Sequence, residues 1–99
     1  HWVIYGIPAK ATKLPEGVPQ MEKLADLAGA VQGMNTWPHI GYNGPMPPQG
    51  HGWHRYFFKL YALDVDLTLN PGVTKKDLIA AMKGHILAEA QLIGKYKRD

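Results

Sequence analysis

The sequence predicts a mainly β domain with one or two short helices, and three observations carry that prediction. Residues 53–64 are dense in aromatic and long apolar side chains, with no Gly or Pro among them, which is the composition of a strand. Between Gly84 and Gly94, the residues Ile86, Ala88, Ala90 and Leu92 alternate with Leu87, Glu89, Gln91 and Ile93, a period of two. A cap, an apolar stripe and a glycine stop come together only over residues 74–84, where Thr74 and Asp77 form a capping-box variant. There Leu78, Ile79 and Met82 point toward a sheet, and Gly84 ends the helix.

In chain order, residues 1–8 read as a strand from their Trp, Val, Ile and Tyr content, with His1, Val3, Tyr5 and Ile7 on one face and Pro8 as the stop. Residues 9–19 carry two prolines and a glycine and form a polar loop. Over residues 20–32, Met21, Leu24, Leu27 or Ala28, and Val31 recur at helical spacing, which predicts a short helical turn within a long connection. Residues 33–48 are rich in Gly, Pro and Asn and run over the surface, pinned by Trp37 and Tyr42. Asn70-Pro71-Gly72 makes the turn ahead of the helix. All 99 residues are expected to form one domain, and 45% hydrophobic content suffices for a modest core.

The densest chemistry lies in residues 44–56, Gly-Pro-Met-Pro-Pro-Gln-Gly-His-Gly-Trp-His-Arg-Tyr. Pro45, Pro47 and Pro48 fix φ and remove donors, so the loop loses freedom before any ligand arrives. Gly44, Met46 and residues 49–52 keep their N–H groups, and glycines let a ligand come close to them. The favoured guest is an anion. In the strand that follows, His54, Tyr56, Phe58, Leu60 and Ala62 share one face, and residues two apart stand roughly 6.5–7 Å apart, so His54 and Tyr56 reach one ligand. Large apolar groups on both faces predict a central strand, with Lys59 reaching solvent along its stem.

These residues, together with His1-Trp2, Gln32-Gly33, Gly41-Tyr42 and residues 84–90, resemble the phosphatidylethanolamine-binding protein family, in particular its bacterial and archaeal branch called Raf kinase inhibitor-like. The resemblance runs from His1 to Lys97. It implies a β-sandwich-like fold, a terminal strand at residues 85–97, and a shallow pocket for phosphate, small anions or a phospholipid head group, with no established chemistry. Carried over position by position, the ligand-binding residues are His1, Gly44, Pro45, His54 and Tyr56. An Asp-Pro-Asp segment that lines the pocket in complete members has no counterpart here, and Met46 and Pro38 stand where relatives often have Cys and Gly. The resemblance thus predicts the C-terminal part of the family's domain, lacking its N-terminal strands. A chain that opens on His1 is expected to have lost a leading segment, to continue outside this sequence, or to be a shortened relative. Unpaired strand edges predict a partner, either the separated N-terminal part or a second copy.

Composition narrows the remaining classes. Eleven Lys and Arg against eight Asp and Glu give a net charge of +3, dispersed except at Lys95, Lys97 and Arg98, which is less than the basic stripe of a nucleic-acid binder. No apolar run is long enough for a transmembrane helix, and the default location is the cytoplasm, any signal peptide lying upstream of His1. With no serine and no cysteine, acyl transfer lacks its usual nucleophiles, so the expectation is a protein that is not an enzyme. No cofactor and no metal are expected. A histidine metal site is nevertheless the first alternative, with His51 and His54 in H-x-x-H spacing and His1 or His39 as further ligands. The second alternative is an interaction or inhibitor module, since residues 45–48 form a P-x-x-P pattern. An imidazole meets an anion as a neutral donor or, once protonated, as a cation, so mild acidification is expected to strengthen binding.

Overall fold

In the computed structural model, two long strands, β4 (His54–Leu63) and β5 (Ile86–Tyr96), pair antiparallel as a two-stranded sheet. The structure describes residues 1–27 and 29–99, without the side chain of Asp26. The backbone gathers into two compact units, one of His1–Asn43 with Asp66–Lys83, the other of Gly44–Val65 with Gly84–Asp99.

The second unit is the β4–β5 ribbon with the loop that precedes it. Its register runs from His54↔Tyr96 to Ala62↔Ala88, with an irregularity between Ala62 and Leu63. Residues directly opposite in an antiparallel pair share a face. One face therefore joins His54, Tyr56, Phe58 and Leu60 to Tyr96, Gly94, Leu92 and Ala90, while the other joins Arg55, Phe57, Lys59 and Tyr61 to Lys95, Ile93, Gln91 and Glu89. Both strands were legible, within a residue or two of their ends. The central placement expected for β4 does not hold among the described residues. Its only partner is β5, and Phe57, Phe58 and Leu60 are 46%, 44% and 64% exposed. Large apolar residues on both faces of β4 are therefore left exposed.

The first unit holds the buried apolar core. Strands β1 (Ile4–Tyr5), β2 (Lys23–Leu24) and β3 (Ala30–Gln32) form an antiparallel sheet in the order β1-β3-β2. Val3, Tyr5, Leu24, Ala30 and Met82 make its core. The expected helical turn is a 3₁₀ segment at Ala25–Leu27, set between two strands that the helical spacing concealed. Ala28, an alternative member of that stripe, lies outside the described residues.

Gln32 explains why so short a sheet holds. Its side chain is fully buried, yet the amide oxygen accepts from Trp2 Nε1 at 2.7 Å and the amide nitrogen donates to the carbonyls of Pro19 and Met21 at 2.7 and 2.8 Å. Both donors and one of the two acceptor positions of the group are filled, so its burial carries little penalty. Gly33 follows because nothing larger fits: a Cβ there would stand 2.2 Å from the Val73 carbonyl and 2.8 Å from Val3 Cγ1. Tyr5 donates its hydroxyl to the Asn70 carbonyl. Burial pushes its phenol above the ordinary value, a backbone hydrogen bond from Val73 acts in the opposite direction, and the charge of Glu22 adds to the rise.

Helix α1 (Lys75–Met82) begins with the predicted capping box, in which Asp77 N donates to Thr74 Oγ1 and Thr74 N donates to Asp77 Oδ2. Gly84 ends it at φ 82°. The apolar stripe is narrower than expected, since Met82 is buried and Leu78 half-buried, but Ile79 is 49% exposed.

Candidate functional site

The loop of residues 44–52 is tied to the end of the β4–β5 ribbon by three contacts. Arg98 Nε donates to the Pro47 carbonyl at 2.6 Å, Gly50 N donates to the Arg98 carbonyl at 3.0 Å, and the His51 ring stacks on the His54 ring at 5.8 Å between centroids. Pro47 is buried in consequence. A tight turn closes through His51 N and the Pro48 carbonyl at 3.3 Å. Gly50 takes φ 75° in it, at the position where a type II turn demands a positive angle. Two of the amides expected to face a ligand are thus spent inside the unit, those of Gly50 and His51. Gly44, Met46, Gln49 and Gly52 remain as the loop's candidate donors.

Four of the five predicted site residues lie in this unit. Gly44 is exposed, Pro45 is half-buried, and His54 and Tyr56 are half-buried on one face of β4. Across from them on β5 stand Tyr96 opposite His54 and Gly94 opposite Tyr56. Gly94 has no side chain, and a Cβ built on it would meet nothing within 4 Å. The result is a notch beside Tyr56, bordered by His54 and Tyr96. His51, Gly94, Tyr96 and Arg98 complete this surface. The sequence offered His51 through its amide and as an alternative metal ligand, and gave Gly94 and Arg98 no site role. The pairing register, which joins residues 38 to 42 positions apart, brings Gly94 and Tyr96 beside Tyr56 and His54, and the bond to the Pro47 carbonyl brings Arg98.

His1 lies in the first unit. Its Nδ1 is 2.8 Å from the Asn43 carbonyl, Asn43 N donates to the His1 carbonyl at 3.0 Å, and Trp37 packs edge-on against its ring. Asn35 orders this corner, donating to Gly41 O at 2.9 Å and to Asn43 Oδ1 at 2.6 Å while its own oxygen accepts from Trp37 N and His39 N. Trp37 pins His1 and Tyr42 packs on Trp2, so both aromatics act as packing residues in this unit. Among the described residues no three His, Cys, Asp or Glu side chains form a group able to hold a metal ion, and no helix is long and apolar enough to cross a membrane.

A model of the phosphatidylethanolamine-binding protein family matches residues 1–97. The chain belongs to this family. A UPF0098 protein of Aquifex aeolicus is 50% identical over 100 residues, taking in 100% of this chain and 57% of the relative. A UPF0098 protein of Methanothermobacter thermautotrophicus is 54% identical over 98 residues, taking in 99% of this chain and 62% of the relative. The crystal structure of YBCL from E. coli, described as a new member of the mammalian PEBP family, superposes with a TM-score of 0.89 at 28% identity, over 100% of this chain and 61% of YBCL. The mainly β fold with one short helix is therefore the family's. The chain spans about three-fifths of the length of these relatives. The family match runs through almost all of its residues and does not assign them to one end of the family's domain.

Proposed function

We propose that this chain is a binding protein for small anions and phosphorylated ligands, of the phosphate or phosphoethanolamine type, and performs no chemistry on them. Phosphate-type oxygens meet loop amides near Gly44 and Pro45 and the polar ends of His54 and Tyr56, with the Gly94 notch as the space they enter. Support comes from the family and from one observation above all: Arg98 and the His51–His54 stack tie the proline-stiffened loop to the strand carrying His54 and Tyr56. A donor array fixed before binding loses little entropy when the ligand arrives. His1 belongs to the other unit, so the proposal stands on Gly44, Pro45, His54 and Tyr56.

The test is calorimetric titration of inorganic phosphate and phosphoethanolamine into the wild-type chain, His54→Ala and Tyr56→Phe. Each substitution removes a hydrogen bond to a charged group, worth about 1.5–3 kcal/mol, so at least a tenfold loss is expected in each. Unchanged affinity in both variants rejects the proposal.

A further inference from the structure

The chain has three asparagines, and the residue after each decides what its side chain can undergo. An asparagine loses its side-chain amide when the following backbone nitrogen closes on its Cγ. Asn70 precedes Pro71, which has no N–H to give. Asn35 precedes the β-branched Thr36, and its buried side chain is bonded at both ends, Nδ2 to Gly41 O and Asn43 Oδ1, and Oδ1 to the amides of Trp37 and His39. Asn43 precedes Gly44, whose nitrogen has no side chain beside it. Gly44 is exposed and Asn43 is half-buried.

The fold nevertheless holds Asn43 in three places. Its N–H donates to the His1 carbonyl at 3.0 Å, its own carbonyl accepts from His1 Nδ1 at 2.8 Å, and its Oδ1 accepts from Asn35 Nδ2 at 2.6 Å. Two of these bonds oppose ring closure directly. The Asn43 carbonyl and the Gly44 nitrogen belong to one planar peptide unit, so turning that nitrogen toward Cγ also turns the oxygen that His1 holds. Turning Cγ toward the nitrogen instead carries Oδ1 away from Asn35. Because a carbonyl only accepts, His1 Nδ1 carries the hydrogen of its bond.

We propose that Asn43-Gly44 is a deamidation site, kept slow in the folded chain by His1 and Asn35 and released when this corner opens. The Gly44 nitrogen gives its proton to a solvent base and bonds to Asn43 Cγ. The Cγ–Nδ2 bond breaks, and Nδ2 takes up a proton and leaves as ammonia. Water then opens the resulting five-membered succinimide at either carbonyl, leaving aspartate or isoaspartate, with no change of oxidation state. Isoaspartate lengthens the main chain by one carbon between the nitrogen and the carbonyl that His1 bonds. Those two bonds cannot both return in their present geometry, so that product leaves the corner open.

The test follows intact mass and peptide maps with time at mildly alkaline pH, with no anionic ligand added, so its outcome is independent of anion binding. Folded wild-type chain should convert Asn43 at least about tenfold more slowly than the same chain in urea, because the corner has to open first. His1→Phe keeps an aromatic ring against Trp37 but has no Nδ1. Folded by circular dichroism, it should convert about fivefold faster than wild type, the population change that accompanies loss of one hydrogen bond. In urea the two should react alike. Gly44→Ala places a methyl beside the attacking nitrogen and should slow the reaction in both conditions. Equal wild-type rates folded and in urea, an unchanged rate in folded His1→Phe, or acid appearing at Asn35 instead of Asn43 would each overturn the proposal.

Discussion

Replacing Gly94 by valine separates stability from ligand binding at the proposed site. Gly94 lies within a strand and its φ is not in the left-handed region, so a β-branched residue can adopt its backbone. The space for the side chain is open, since a Cβ meets nothing within 4 Å. Glycine weakens a strand interior and valine favours it, on a scale that spans about 1 kcal/mol. The fold should therefore keep its stability or gain up to about 1 kcal/mol.

Binding should move the other way. A ligand oxygen has to come within about 2.7–3.0 Å of the Tyr56 hydroxyl and a His54 ring nitrogen to bond with them. The two methyls of valine fill the position directly across from Tyr56 and beside His54, where that oxygen would be. Losing even one such bond to an anion costs about 1.5–3 kcal/mol, so phosphoethanolamine affinity should fall by at least tenfold. Urea unfolding followed by fluorescence reads the first effect and calorimetry the second. Wild-type affinity in a stably folded Gly94→Val would refute the notch as the place of entry. Gly94→Ala, one methyl smaller, should give an intermediate loss, and a full loss of binding and stability together would show that the position is structural.

Three further substitutions probe the first unit. Gly33→Ala forces a carbon against the Val73 carbonyl, while Gly33 N and Met34 N are held to the carbonyls of Val3 and Val73 at 2.8 and 2.9 Å. With backbone fixed on both sides it should cost at least about 2 kcal/mol, read as a fall in Tm of roughly 8 °C or more. Gln32→Leu leaves Trp2 Nε1 and the carbonyls of Pro19 and Met21 without their partner, and should cost about 2–4 kcal/mol in urea unfolding. A cost below about 0.5 kcal/mol would contradict its role. Tyr5→Phe should cost about 1 kcal/mol near neutrality, through the lost bond to Asn70. Because the folded phenol titrates above the unfolded value of about 10, the unfolded chain releases its proton first, so stability is complete below that pH and falls as pH rises beyond it. The difference between wild type and Tyr5→Phe should shrink over that alkaline range, and a difference that grows would reverse the sign argued here.

Local signals were legible where a few neighbouring residues decide the structure. The capping box at Thr74 and Asp77, the stop at Gly84 and the turn at Gly72 each need only adjacent side chains or one positive φ, and each is present. The strand over residues 86–93 was legible from its alternation between two glycines together with the family resemblance, although Ala88, Glu89, Ala90 and Gln91 are also good helix formers. Strand β1 falls within the strand read over residues 1–8, whereas β2 and β3, and the sheet they form with it, escaped for the converse reason. Its strands have two or three residues, and what holds them is the distant amide of Gln32 bonded to Trp2, Pro19 and Met21, a tertiary effect that no window of sequence contains.

The site divides along the same line. His54 and Tyr56 share a face because they are two residues apart, which the sequence states directly. That Tyr96 stands across from His54 and Gly94 across from Tyr56 depends on the β4–β5 register, which fixes residues some forty positions apart. The same register bears on the exposed apolar faces of β4. A pattern with Phe57 and Phe58 on opposite faces says that both sides are to be covered, but periodicity carries no information on what covers them. Burial is a property of the assembled surface, so the misplacement of β4 as a central strand has a physical origin: this ribbon presents more apolar strand surface than its own unit encloses.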